Sequence, residues 1–113
     1  SKPEAPGMLT AHYAPGKKVF YSFWASRPDA ALHTPLQRLG LLCLSRPEDV
    51  PEEVHVIELS PSRDLNEAAR NLFAALRRFD QLEIDAVVAE PMPDTQLGRA
   101  INDRLKRAAA SAS

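Results

Sequence analysis

The segment LNEAARNLFAALRRFDQLEIDAVVA, residues 65–89, indicates the fold class because its hydrophobic pattern changes near its end. Up to residue 82 the apolar side chains recur every three or four positions, which predicts one buried face of an α-helix. This face comprises Leu65, Ala68, Ala69, Leu72, Phe73, Leu76 and Phe79. Asp64, followed by Glu67 three residues later, is typical of a capping box that starts the helix. Residues 84–89 are instead apolar at nearly every position, which predicts a buried strand.

Three other short runs have the composition of buried strands. They are residues 19–24, 39–44 and 54–59, and the first of them, VFYSFW, is rich in aromatic and β-branched side chains. Strands that are apolar on both faces are typical of a parallel sheet, whose two faces are covered by helices.

Two further helices complete the pattern. One is predicted over residues 95–109, with Asp94 as its candidate N-cap, and a shorter one between residues 29 and 38 is expected to break at Pro35. Strands and helices then alternate along the chain. This alternation predicts a three-layer α/β domain with a small, mainly parallel sheet and right-handed crossovers.

The first sixteen residues differ from the rest because their three prolines prevent a continuous helix. Each proline also favours an extended conformation in the residue before it. We therefore divide the chain into an extended, proline-rich linker strap at residues 1–16, a folded domain at residues 17–109 and a disordered tail at residues 110–113.

Composition restricts the class of protein. The chain of 113 residues is 44% hydrophobic and 26% charged, as ordinary soluble domains are. A net charge of −1 gives no general attraction to nucleic acid or to an anionic membrane. We see no apolar run of membrane-spanning length and no signal peptide. The single cysteine, Cys43, excludes a disulfide within the chain, so we expect a cytoplasmic protein without membrane contact.

Several short motifs resemble one enzyme family over nearly the whole chain. Two lie in the strap, Pro6-Gly7-Met8 and His12-Tyr13-Ala14-Pro15. The others are LFAALRRFD at residues 72–80, DAVVAE at residues 85–90 and LGRAINDRL at residues 97–105. In this order they resemble the linker and C-terminal domain of the long, two-domain threonylcarbamoyl-AMP synthases. That family pairs a YrdC-type catalytic domain with a small Rossmann-like C-terminal domain.

The resemblance implies that the chain is the regulatory or lid domain of an L-threonylcarbamoyladenylate synthase. Such enzymes join L-threonine, bicarbonate and ATP into threonylcarbamoyl-AMP and pyrophosphate. The threonylcarbamoyl-AMP then serves the threonylcarbamoyladenosine modification of tRNA. The resemblance also implies that ATP, with magnesium, binds in the catalytic domain, which would be the partner in cis. This fragment alone would then be inactive, with no catalytic residue, cofactor or metal of its own. Enzymes of tRNA modification are the further partners that the resemblance suggests.

The family's linker covers the mouth of the active site, so the resemblance assigns a lid role to four strap residues. They are Gly7, Met8, His12 and Tyr13. Ala11 departs from the family, which often has a basic or hydroxyl residue there, and this argues against a phosphate contact from that position. An alternative interpretation is that Met8 and Tyr13 only dock the strap on its own domain.

Other chemistry has weaker support in the sequence. Residues 23–29, which follow the first predicted strand, contain no glycine, whereas a dinucleotide fingerprint needs glycines so that pyrophosphate can approach the backbone. His12, His33 and His55 lack the spacing of metal ligands. The basic residues within 99–107 are mixed with Asp103, which indicates a solvated helix face rather than a nucleic-acid surface.

Glu90 and Gly98 are candidates for a cleft at the carboxyl edge of the sheet, where ligands of open α/β folds usually bind. An equally good interpretation is that Glu90 fixes its own loop and Gly98 permits a tight helix contact. Two further functions stay open at this point. One is an autonomous small-ligand or nucleotide-binding module near Trp24, Ser60 and Glu90, and the other is an interaction domain for dimerisation or tRNA recruitment.

Overall fold

The computed structural model describes residues 17–111, which form a four-stranded parallel sheet covered on both faces. The strands are β1 (Lys18–Tyr21), β2 (Leu39–Cys43), β3 (His55–Glu58) and β4 (Ala86–Ala89). Their spatial order is β1-β4-β2-β3, and every neighbouring pair is parallel. The predicted α/β class and parallel sheet are therefore confirmed. The strap at residues 1–16 and the last two residues lie outside the described part of the chain.

Three α-helices lie within residues 17–111. They are α1 (Asp29–Leu32), α2 (Leu65–Gln81) and α3 (Gln96–Ser111). α3 continues two residues beyond the predicted end of the domain, because the alanines at its end are strong helix formers. Pro35 separates α1 from a single 3₁₀ turn at Leu36–Arg38, as its missing N–H and fixed φ require. None of these helices is long and apolar enough to cross a membrane.

α2 and α3 together cover one face of the sheet. Their buried side chains include Leu72, Leu76, Phe79, Ile101 and Leu105, which belong to the same apolar cluster as Leu42 and Val87 of the sheet. Phe73 is only half-buried, although the sequence places it on the same stripe, and the Arg104 guanidinium lies 5.0 Å from the centre of its ring. The main core therefore depends on the inner part of the predicted stripe.

The opposite face is covered by short segments rather than by long helices. Trp24, Ala31, Val50 and Val54 belong to the connections that follow β1 and β2, and all four are buried against this face. The first strand ends at Tyr21, so the prediction that it continues to Trp24 is wrong. Trp24 instead starts a 3₁₀ turn, and its indole provides much of the cover that a helix would supply.

The start of α2 is capped through Ser60. Asp64 Oδ1 accepts a hydrogen bond from the Asn66 N–H at 2.9 Å, which confirms Asp64 as the N-cap. The predicted capping box is wrong in detail, because Glu67 does not bind the Asp64 N–H directly. The Ser60 hydroxyl lies between Asp64 and Glu67 and binds both. It accepts from the Asp64 N–H at 2.8 Å and donates to Glu67 Oε1 at 2.5 Å. Ser60 is fully buried in this network and has a structural role rather than that of a ligand contact.

Candidate functional site

The strand order creates a switch point at the carboxyl ends of β2 and β4. These strands are neighbours, but the chain leaves them toward opposite faces of the sheet. After β2 it continues on the face of Trp24, where Val50 is buried, and after β4 it enters α3 on the other face. Ligands of open α/β sheets bind in the crevice that such a divergence opens.

Glu90 lies at this divergence, immediately after β4. Its backbone N–H donates to the Leu42 carbonyl of β2 at 2.9 Å, which fixes its position beside the neighbouring strand. Its side-chain Oε2 accepts from the Trp24 N–H at 2.8 Å. The carboxylate therefore holds the first turn of the connection that follows β1, as the loop-fixing interpretation of Glu90 requires.

A cleft of about 580 Å³ opens beside this hydrogen bond. We call it the switch-point cleft and define it by six of its lining residues, Phe23, Trp24, Arg27, Glu48, Asp49 and Glu90. The Arg27 guanidinium lies 3.9 Å from the centre of the Trp24 ring and donates to the Trp24 carbonyl at 2.7 Å. This stacked pair gives the cleft a rigid wall, since cation–π contact and hydrogen bond act on the same guanidinium.

The cleft is unsuited to a phosphate group. The Trp24 N–H, which begins the turn after β1, is already bonded to a carboxylate, and two further carboxylates, Glu48 and Asp49, line the same space. Phosphate sites in α/β folds need free backbone N–H groups and glycines at this turn. The first N–H of the turn after β1 is therefore unavailable to a phosphate group.

Cys43 is buried at the end of β2. Burial, with the charges of Glu90 and Glu58 adding to it, raises the pKa of this thiol to about 12. A thiol with so high a pKa is almost entirely protonated at neutral pH and is a poor nucleophile. Cys43 is therefore a core residue, as the apolar run around it indicates.

Gly98 lies in the first turn of α3, away from the switch-point cleft. A Cβ at this position would stand 1.8 Å from the Pro93 carbonyl oxygen, so the helix approaches the preceding loop as closely as a backbone permits. The Gly98 N–H donates to Thr95 Oγ1 at 3.1 Å, which makes Thr95 the N-cap. The prediction of Asp94 as N-cap is wrong, because Asp94 instead pairs with Arg99 at 2.6 Å.

The histidines of the described chain have structural partners. His33 Nδ1 lies 2.8 Å from the Asp29 carbonyl oxygen, and His55 Nε2 lies 3.1 Å from the Gln37 carbonyl oxygen. Between residues 17 and 111, no group of three or more histidine, cysteine, aspartate or glutamate side chains has the arrangement of a metal site.

Sequence reasoning missed that Phe23, Glu48 and Asp49 line one cleft. Pro47-Glu48-Asp49, a polar turn shortly after β2, could have been recognised as a candidate for the rim of a cleft. Which segment lies opposite this turn depends on the strand order, which the sequence does not show. A second groove, of about 640 Å³, lies between the edge strand β3 and α2 and is lined by His55, Glu58, Asn71 and Arg78 among others. No residue proposed from the sequence lies in that groove.

The predicted lid residues Gly7, Met8, His12 and Tyr13 lie outside the described residues. The structure does describe Lys17, where the strap joins the domain. The Lys17 ammonium donates to the carbonyl oxygens of Phe79 at 2.6 Å and Leu82 at 3.0 Å, at the C-terminal end of α2. A cation at this end is favoured by the free carbonyls and the helix dipole.

Comparison with known proteins gives the family. A sequence model described as "Threonylcarbamoyl-AMP synthase, C-terminal domain" matches residues 1–110. The chain belongs to this family. The match confirms the resemblance of the motifs, and it extends over the strap as well as the folded domain.

Full-length members of the family are similar to this chain in sequence. The threonylcarbamoyl-AMP synthase of Bacillus subtilis (strain 168) is 32% identical over 114 residues, covering 96% of this chain and 32% of the relative. The enzyme of the same name from Schizosaccharomyces pombe is 32% identical over 120 residues, covering 95% of this chain and 29% of the relative. The chain thus spans about a third of the length of the curated relatives it matches.

A solved structure agrees with the fold. The crystal structure of P. abyssi Sua5 complexed with L-threonine superimposes with a TM-score of 0.65 at 27% sequence identity. The similarity covers 89% of this chain and 30% of that one. The Rossmann-like architecture expected of a threonylcarbamoyl-AMP synthase C-terminal domain is therefore present.

Proposed function

We propose that this chain is the C-terminal domain of an enzyme that makes threonylcarbamoyl-AMP and pyrophosphate from L-threonine, bicarbonate and ATP. The observation that carries the proposal is the family match over residues 1–110, in a chain that spans about a third of its relatives. The threonylcarbamoyl group then passes to tRNA, so the enzymes of tRNA modification are its downstream partners and the cytoplasm is its compartment.

The chemistry belongs to a YrdC-type catalytic domain in the same polypeptide. Residues 17–111 contain no metal-ligand cluster, and their cysteine is a buried, protonated thiol. The turn after β1 offers carboxylates where a phosphate would need N–H donors. On this ground we assign ATP and magnesium to the catalytic domain.

The role of this chain is to hold and position the strap that closes the active site. The product is a mixed carboxylic–phosphoric anhydride, so a lid that excludes water would prevent its hydrolysis. We propose that Gly7 and Met8 let the strap approach the site closely and that His12 and Tyr13 contact the bound adenylate. Lys17 supports this role, because its two bonds to the end of α2 give the strap a fixed base.

The test uses the full-length enzyme with His12→Ala and Tyr13→Ala combined. We expect threonine- and ATP-dependent synthesis of threonylcarbamoyl-AMP to fall, or the product to escape and hydrolyse faster. The loss of a hydrogen bond and a ring contact corresponds to about a fivefold to hundredfold effect. Initial rate and product lifetime are measured together by chromatography of the adenylate.

The matched control is Lys2→Ala combined with Glu4→Ala, which changes two polar residues of the same strap outside the motif. It should leave rate and lifetime unchanged. Equal values for both double variants and the wild type would reject the lid role and favour the docking interpretation. A full-length protein that makes no threonylcarbamoyl-AMP would reject the proposed function itself.

A further inference from the structure

The switch-point cleft combines an exposed aromatic ring with several carboxylates. Phe23 is 54% exposed, which is unusual for so large an apolar side chain, whereas its neighbour Trp24 is only 4% exposed. Glu48, Asp49 and Glu90 line the same cleft. An aromatic face next to carboxylates is a favourable environment for a cationic side chain, which gains both cation–π and ionic attraction.

The charges of the cleft select against anions. Its three carboxylates face a single guanidinium, that of Arg27. That guanidinium is stacked on Trp24 and bonded to the Trp24 carbonyl, and its single charge offsets one of the three carboxylates, which leaves a net charge of −2. Nucleotides and nucleic acid are therefore repelled, and a lysine or arginine side chain is attracted.

The rest of the polypeptide is the partner that these charges fit. The chain spans 32% of the Bacillus subtilis relative, so a much larger part of such a protein lies outside it. A domain that binds ATP and pyrophosphate needs basic side chains around its active site.

We propose that the switch-point cleft receives a lysine or arginine side chain of the catalytic domain and so docks the two domains in cis. This inference rests on the proposed function, because it requires that domain. Phe23 provides the surface on which the basic side chain lies, and Glu48 and Asp49 provide the charge. Glu90 stays bonded to the Trp24 N–H and keeps the aromatic segment in place.

Hydrogen–deuterium exchange compares the 113-residue chain with the full-length enzyme. We expect the peptide over residues 22–28 to exchange more slowly in the full-length enzyme. Combining Glu48→Lys with Asp49→Lys should remove this protection, since exposed ion pairs change an equilibrium by up to about fivefold each and the two together by up to about 25-fold. The matched control combines Glu52→Lys with Glu53→Lys, which are exposed in the same connection but do not line the cleft.

Each outcome is decisive. Protection that is lost in the cleft variant and kept in the control variant supports docking through the cleft. Equal exchange of this peptide in the isolated chain and in the full-length enzyme overturns the docking proposal. Protection that survives in both the cleft variant and the control variant, or that disappears in both, also overturns it. Circular dichroism verifies that all variants are folded. Since synthesis of threonylcarbamoyl-AMP is measured on the same samples, an active enzyme without protection rejects this inference while leaving the proposed function intact.

Discussion

Replacing Gly98 by alanine should strongly destabilise the domain, although alanine is normally the better helix former. In an exposed helix interior the change would stabilise by about 1 kcal/mol. Here the new Cβ would stand 1.8 Å from the Pro93 carbonyl oxygen, a distance that no real Cβ contact reaches. The obstacle is backbone on both sides, so no side chain can rotate away to relieve it.

The loss of stability in the Gly98→Ala variant follows from the separation of α3 from the loop at Pro93. Overpacking of a tight contact costs about 1–3 kcal/mol, and sometimes more. Separating α3 from the loop also breaks the hydrogen bond from the Gly98 N–H to Thr95 Oγ1, and a lost N-cap costs about 1 kcal/mol. After the gain in helix propensity is subtracted, the net loss is about 1–3 kcal/mol. For a domain of this size that lowers the melting temperature by about 5–15 °C.

The assay is thermal and urea unfolding of the 113-residue chain, followed by circular dichroism. The matched control is Ala100→Gly, at an exposed position two residues further along α3, which should lose only about 1 kcal/mol through propensity. A Gly98→Ala variant as stable as the wild type, or more stable, would refute the close approach to Pro93. Gly98 would then be an ordinary helix glycine and open again to a functional interpretation.

Three further predictions concern the core and the cleft. Phe79→Ala should cost about 3–5 kcal/mol in urea unfolding, and Phe73→Ala clearly less, because Phe79 is 2% exposed and Phe73 is half-buried. Glu90→Ala should cost about 1–3 kcal/mol and change the fluorescence of Trp24, the single tryptophan, whereas Glu90→Gln keeps an acceptor for its N–H and should have a smaller effect. Cys43 should resist alkylation in the native state at pH 8 and react in urea, because its folded pKa is about 12. Since that pKa lies above the unfolded value, stability should also decline as pH rises past about 9, whereas below that pH Cys43 causes no pH dependence of stability.

The sequence predicted the elements well because hydrophobic period is a local property. The stripe of α2 and the continuous apolar runs of β2 and β4 are visible without knowledge of the neighbours. The end of β1 was predicted too late, since Trp24 has high β-propensity and one contact of its 3₁₀ turn is remote. That contact is the hydrogen bond from the Trp24 N–H to the Glu90 carboxylate, 66 positions away in sequence.

The cleft could not be predicted for a related reason. β4 inserts between β1 and β2, and this order brings the turn after β1 beside the turn after β2. Local patterns predict the strands but not their order, so they could not predict that Phe23, Glu48 and Asp49 lie in one cleft. Gly98 illustrates the same limit, because the sequence indicates a close approach but not that its partner is the Pro93 carbonyl.

The position of Glu90 connects the blocked N–H of the turn after β1 with the proposed docking. Open α/β sheets place a ligand at the switch point, where backbone N–H groups and a helix N-terminus favour an anion. In this domain Glu90 is bonded to the first N–H of that turn, and Trp24 fills the space beside it. This edge of the sheet is therefore concave and carries a net negative charge. A surface of that shape and charge excludes the phosphates of ATP and tRNA and favours the basic rim of a domain that binds them, which is why we assign the cleft to interdomain contact rather than to catalysis.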